Sequence, residues 1–384
     1  MTDDRAARAA LSRLVEPGSA RAARLIAHMG APELYRQLRH ERIDQGLSAD
    51  AAGRMVEVAP ERDLERAASR GIRFVVPGDD EWPDQLDDLE ASEGVGDMRG
   101  RPFGLWVRGP VRLDSLARSV AVVGSRSATT YGEDVARGIA AELARDDRPV
   151  VSGAAFGIDQ AAHRGALAMR GESVAVLACG VDRAYPAAHR DLLDHHATHG
   201  AIVSELPPGC APMRMRFLAR NRLIAALTCG TVLVEAAIRS GALNTAAWAD
   251  SLSRPLMGVP GPVSSAQSQG VHHWIRIGAA SLVTGAADVL EVVGSSGEHA
   301  RDEPRAPSRP RDRLSRTHQR VLDAVPVHRA ADLVAVARTA GLAVDDTRGA
   351  LAELLRHGFV EQLPTGWRLG EAARQVPDEP LWAT

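Results

Sequence analysis

Two patterns of apolar and polar positions divide the chain. Over residues 2–70 apolar positions recur at helical spacing among Ala, Arg, Leu and Glu. Breakers at Pro17-Gly18, Gly30-Ala31-Pro32, Gly46 and Pro60 cut this pattern into short helices. From Ser119 onward short apolar runs alternate with helical segments, at 120–123, 150–152, 174–177, 201–204, 231–234, 256–259 and 281–283. Most of these runs are continuously apolar, which implies strands covered on both faces by the intervening helices. The prediction is α/β: an extended, Rossmann-like, doubly wound and mostly parallel sheet, with ligands expected at the carboxyl ends of its strands. Two further strand-like pieces, 72–76 and 105–107, flank an acidic stretch of Asp79, Asp80, Glu81 and Trp82-Pro83. That stretch reads as a solvated loop, with a metal-binding carboxylate pair as the alternative. After Val293 the Gly, Ser and Pro content of 294–314 predicts a flexible linker. Helical stretches at 317–324, 330–340 and 347–358, then two strands around Pro364-Thr365, predict a winged helix that docks on DNA or on protein.

Composition narrows the chemistry. All 46 residues counted as Lys plus Arg are arginine, so a Walker A lysine, a Schiff-base lysine and a kinase-type lysine are excluded from these 384 residues. The net charge of −3 means that any polyanion site must be a local patch. Cys179, Cys210 and Cys229 are odd in number and too scattered for a metal knuckle, which suits a reducing compartment. Asp3 and Asp4 at the start, and no apolar run long enough to span a bilayer, give the expectation of a cytoplasmic protein with no membrane association.

The candidate chemistry gathers at strand ends. Val120, Val122 and Val123 lead into Gly124-Ser125-Arg126 and then a helical segment from Gly132 to Arg145. A glycine turn feeding a helix start is a candidate phosphate cradle, and Arg126 adds a fixed cation. Ser152-Gly153-Ala154-Ala155-Phe156-Gly157-Ile158-Asp159 repeats the design. Asp159 and His163, one turn apart, read either as a capping pair or as an acid/base pair. The turn after Val123 lacks the glycine triad of a dinucleotide site, and the second strand ends in Ser152-Gly153 with no acidic residue there for a ribose hydroxyl. Arg214, Arg216, Arg220 and Arg222 surround Phe217 within ten positions, so that guanidinium forks can pair with phosphates and the ring can carry a base. The alternative is a solvated face, or pairing to Glu205 and Glu235. Glu235 itself either orients Arg220 or Arg222, or acts catalytically. A third strand end leads into Ser240-Gly241-Ala242-Leu243-Asn244-Thr245. His195, His196 and His199 have zinc-like spacing without a completing ligand, and no metal or cofactor is expected.

Taken together, Gly124-Ser-Arg, Ser152 to Asp159 with His163, Gly180-Val-Asp with Tyr185-Pro186, Ser204-Glu205, Phe217 with Arg220-Asn221-Arg222, Glu235-Ala with Ser240-Gly and Asn244-Thr245-Ala, and Arg254 with Val259-Pro-Gly resemble the ordered signature of the DNA-processing protein A (DprA/Smf) family. The resemblance runs over residues 74–293. Leu218 stands where the family usually has proline, and Gly270-Val271-His272-His273-Trp274 replaces its usual Gly-Thr-Asn segment. The resemblance implies a single-stranded DNA-binding recombination mediator, without enzymatic activity, that protects strands and loads the RecA recombinase in DNA processing and natural transformation. It also implies a homodimer. The implied DNA pocket comprises Arg126, Gly153, Phe217, Arg220, Asn221 and Arg222. Adding the strand-end residues gives a candidate set of Gly124, Ser125, Arg126, Ser152, Gly153, Arg214, Arg216, Phe217, Arg220, Asn221, Arg222, Asn244 and Thr245. The expected organisation is a helical, SAM-like module at 1–70, a DNA-binding α/β domain at 71–293, a linker at 294–314, a winged helix at 315–370 and a tail at 371–384. The fold also looks like that of the Lonely Guy phosphoribohydrolases. In that reading Arg220 or Arg222 grips a nucleotide phosphate and Glu235 assists N-glycosidic cleavage, although Cys229-Gly230-Thr231 lacks the double glycine of those enzymes.

Overall fold

The computed structural model describes residues 2–40, 47, 51, 53–55, 58–295, 297–299 and 310–374. Nine strands form the central sheet: β1 (Ile72–Val75), β2 (Leu105–Arg108), β3 (Val120–Val123), β4 (Val150–Ser152), β5 (Ser173–Val176), β6 (Ala201–Ser204), β7 (Gly230–Leu233), β8 (Leu256–Gly258) and β9 (Ser281–Leu282), in the order β1-β2-β6-β5-β4-β3-β7-β8-β9. Pairing is parallel from β6 across to β9 and antiparallel where β1 and β2 extend the sheet. The strands expected from the apolar runs are all present, shifted by at most a residue or two at their ends.

The continuous apolar runs have the expected cause. Alternate residues of the central strands enter opposite cores. Val123, Val151, Val176 and Leu233 pack against α8 (Arg214–Leu227) and α9 (Ala242–Ser251) through Leu223, Ile224 and Trp248. Val120, Val122, Val150 and Val232 pack against α5 (Thr130–Arg145) and α6 (Ile158–Ala168) through Ile139, Leu143, Ile158 and Ala162. Each such side chain contributes about 1.5–3 kcal/mol on burial, so the two-sided covering locks strand register firmly. The parallel part of the sheet starts at central β3, winds out through β4, β5 and β6, then returns along α8 to lay β7, β8 and β9 on the other side. The direction therefore switches between β3 and β7, where the strand ends splay a crevice.

Among the helices described before the sheet are α1 (Thr2–Leu14), α2 (Ala20–Met29), α3 (Ala31–Arg39) and α4 (Pro60–Ala68). Leu11, Leu14, Leu34 and Leu38 form their own core. They dock on the antiparallel edge, where Trp106 Nε1 donates to Ser12 Oγ at 3.2 Å and Arg5 donates to the Phe74 carbonyl and the Asp79 carboxylate. Residues Met1–Ala300 consequently form one compact unit. The acidic stretch is a loop, as expected, but only partly solvated. Asp79 accepts from the Val76 amide, Glu81 takes a forked bond from Arg73 and another from the Leu113 amide, and Trp82 is buried, so these two acids are tied to backbone or arginine donors, while Asp80 is exposed.

The second unit holds α10 (Arg316–Ala324), α11 (Leu333–Ala340), α12 (Val344–Arg356) and the antiparallel hairpin β10 (Val360–Leu363) with β11 (Gly366–Leu369), around Val321, Val336, Leu351 and Phe359. Of the expected linker, residues 296 and 300–309 lie outside the described residues, as do 375–384 of the expected tail. At its described start Glu298 pairs with Arg118 and Arg148 and accepts from the Ser295 amide. Among the described residues no helix is long and apolar enough to cross a membrane.

Candidate nucleic-acid interface

The loops after β3, β4 and β7 meet over the crevice, and their backbone is stitched together. A Cβ at Gly124 would lie 2.6 Å from Ile158 Cγ1 and 2.7 Å from the Glu235 carbonyl, so only glycine lets the β3 loop pass. Ser125 N donates to Glu235 O at 2.7 Å, and Ile158 N donates to Ser125 O at 3.2 Å. Gly157, at φ 73°, faces Ser125 O so closely that a Cβ there would be 2.4 Å away. Glu235 is buried, and both its carboxylate oxygens are engaged: Oε2 accepts from Thr129 N at 2.8 Å and Oε1 from Thr129 Oγ1 at 2.6 Å. Thr129 in turn caps α5 by accepting from Gly132 N. Two expectations are corrected here. The start of α5 is not an open phosphate cradle, because Glu235 and Thr129 take its first donors. Nor does Glu235 orient an arginine, because it is spent on that cap.

The crevice is a cleft of about 680 Å³. Gly124, Ser125, Arg126, Arg214, Phe217, Arg220, Asn221, Asn244 and Thr245 all line it, joined by Ser127, Ala155, Asp159, Arg239, Ser240 and Gln267. The Arg126 guanidinium lies over the Phe217 ring at 4.8 Å, and the Tyr185 ring is 5.6 Å from Phe217. Arg220 is 6 % exposed, donates to the Val176 carbonyl at 2.9 Å, and has a buried Nε with no partner among the described residues. Burial pulls its pKa below the usual arginine value, opposed by the nearby Asp159. Asp159 accepts from the Ala155 amide at 3.3 Å; burial raises its pKa, and Arg220 acts in the opposite direction. Asn221 donates to Gly241 O and Asn244 Oδ1, tying α8 to the start of α9. Among the described residues Arg126, Arg214, Arg220 and Arg239 join no ion pair.

Four of the expected residues lie elsewhere. Ser152 is fully buried and donates to the Val122 carbonyl at 2.7 Å. Gly153 lies beneath Arg220, whose Nη1 would be 1.7 Å from a Cβ there, so it makes room for the guanidinium instead of meeting a ligand. Arg216 forms a forked pair with Glu16, in the turn between α1 and α2, at 2.7 and 2.9 Å. Arg222 is 1 % exposed, its forked pair to Glu205 completed by a bond to the Gly100 carbonyl. Nor is His163 bonded to Asp159: its Nδ1 meets Ser173 Oγ at 2.8 Å, with His196 Nε2 at 3.1 Å. Burial drives His196 down to about 4, and His163 well below the usual histidine value. Among the described residues no cluster of His, Cys, Asp or Glu could hold a metal. Arg239 and Gln267 went unrecognised in the sequence. Arg239 is a lone cation in a loop, and Gln267 reaches Ser125 Oγ, 3.1 Å away, from a loop beyond β8.

Residues 73–294 match the family described as DNA recombination-mediator protein A. The chain belongs to this DprA/Smf family. A Mycobacterium tuberculosis relative described as "Putative DNA processing protein DprA" is 46% identical over 94% of this chain and 92% of its own length. The X-ray structure of Streptococcus pneumoniae DprA aligns at a TM-score of 0.61 and 28% identity, covering 76% of this chain and 97% of that one. A Helicobacter pylori DprA structure, described as giving that protein's single-stranded DNA binding mode, aligns at a TM-score of 0.50 and 26% identity, over 57% of this chain and 94% of that one.

Proposed function

We propose that the cleft binds single-stranded DNA, and that through it the chain protects exposed strands and loads the RecA recombinase as a homodimeric, non-enzymatic mediator in the cytoplasm. The observation that carries this reading is the convergence of Arg126, Arg214, Arg220 and Arg239, none ion-paired among the described residues, around the Phe217 ring. Guanidinium forks suit phosphate oxygens, while a ring backed by a cation offers its other side to a base. Membership of the recombination-mediator family and the single-stranded DNA mode described for the Helicobacter pylori relative support the same ligand. The winged-helix reading of the second unit belongs to this proposal as an accessory docking element.

The engaged state of Glu235 argues against the phosphoribohydrolase reading. A group assisting N-glycosidic cleavage must reach the substrate, whereas both Glu235 oxygens serve Thr129. The test combines oligo-dT binding by fluorescence anisotropy with a search for free base released from nucleoside monophosphates. Binding that Arg126→Ala weakens, with no turnover, is the expected result. Base release without strand binding selects the hydrolase instead.

A further inference from the structure

The chain is only 4% aromatic, with six Trp, five Phe and three Tyr residues. Among the described residues the exposed aromatic rings are Tyr131, Phe156 and Tyr185, at 44%, 46% and 42% exposure. Chance does not favour their placement, since all three stand on the carboxyl edge of the same sheet. Tyr185 follows β5 and touches Phe217 of the cleft. Phe156 follows β4, next to the cleft residue Ala155, with its ring against the edge of His189 at 4.6 Å. Tyr131 opens α5 on the far side, its hydroxyl donating to the Pro260 carbonyl beyond β8 at 2.7 Å. That bond fixes the Tyr131 ring as a standing plate.

We infer that these rings are base-stacking shelves on either side of the arginine cleft, so that a single strand runs along the carboxyl edge from Tyr131, over Arg126 and Phe217, to Tyr185 and Phe156. This rests on the reading of the cleft as a single-stranded DNA site and extends it. β5 and β8 are four strand intervals apart in the order β5-β4-β3-β7-β8. At about 4.8 Å per interval the shelves span roughly 19 Å, more than one nucleotide can cover. Exposed rings on a soluble surface lose water contact only by being covered, and a base covers one with no demand on its identity. The arginines therefore grip the backbone at the centre, while the outer rings set how many nucleotides are held and leave sequence unread.

The test measures anisotropy with labelled oligo-dT of four and of twelve nucleotides, using the full chain and the variants Y185A, F156A and Y131A. Each alanine variant is expected to bind the twelve-mer about tenfold more weakly, with Phe156→Ala and Tyr131→Ala leaving the four-mer unchanged. Tyr185→Phe is expected to retain native affinity, separating ring stacking from loss of a folded surface, whereas Tyr131→Phe, which keeps the ring but loses its bond to the Pro260 carbonyl, is expected to fall between the native chain and Tyr131→Ala. A twelve-mer made abasic outside its centre is expected to bind the native chain more weakly than any single shelf variant binds dT. Native twelve-mer affinity in all three alanine variants overturns the shelves while leaving the cleft standing. Loss of binding to both lengths in Arg126→Ala alone supports the cleft, and failure of the native chain to bind either length removes both readings.

Discussion

Arg220 and Arg222 are two residues apart on one buried helix, yet they are placed for different work. Arg222 is neutralised by Glu205 in the interior, so Arg222→Ala leaves a buried carboxylate uncompensated. A loss of about 3–5 kcal/mol of stability is expected, visible as a lower thermal midpoint. Arg220 donates to a backbone carbonyl and feels the nearby Asp159 without forming an ion pair with it, and it lines the cleft, where its charge can meet a ligand. Arg220→Ala is expected to weaken strand binding by roughly tenfold to a hundredfold, as loss of a charge-assisted bond worth about 1.5–3 kcal/mol implies. Gly153→Ala tests the same point indirectly. The new methyl displaces the guanidinium, and affinity is expected to fall although no contacting side chain is removed. Spacing along the sequence made both arginines candidates, because residues at i and i+2 are equally near a strand end on paper. Which one meets an acid depended on Glu205, which β6 presents from across the sheet.

At the scale of elements, the site depends on how helix starts are capped. Glu235 leaves the end of β7 and closes α5, so Glu235→Gln is expected to cost about 1–2 kcal/mol in a denaturant titration without creating or removing any hydrolytic activity. A second joint lies between α6 and α7 (Arg190–His199), where His163, Ser173 and His196 meet in the interior. Burial depresses both histidines, so the unfolded chain binds more protons than the folded one between about pH 6.5 and pH 4. The stability they permit is therefore complete above pH 6.5 and is lost as pH falls towards 4, by on the order of 3 kcal/mol for His196. His196→Gln is expected to flatten that part of the stability profile measured by denaturant. Asp159 was expected to meet His163 because i and i+4 share a helix face. It instead turns back to the Ala155 amide, a choice that a helical period does not encode. The strands themselves were legible, since two-sided burial writes itself as unbroken Val, Ile and Ala runs.

Over the whole molecule, a net charge of −3 coexists with a focus of arginines at one sheet edge, where the chain switches direction between β3 and β7. The fold could be read from alternating periods, and most of the site from glycines and arginines at strand ends. Arg239 and Gln267 could not be read, because loops carry no period and only the assembled sheet brings them to the cleft. The same assembly disposed of Arg216, which the N-terminal helices claim through Glu16. The central claim is that unpaired guanidinium groups in this cleft hold the phosphates of a single strand, and a salt titration of oligo-dT affinity tests it most directly. With about three phosphates neutralised, the logarithm of the binding constant is expected to fall with the logarithm of salt at a slope of roughly −2, and Arg126→Ala is expected to flatten that slope by roughly 0.7. A slope near zero in the native chain, or one that Arg126→Ala and Arg220→Ala both leave unchanged, contradicts it.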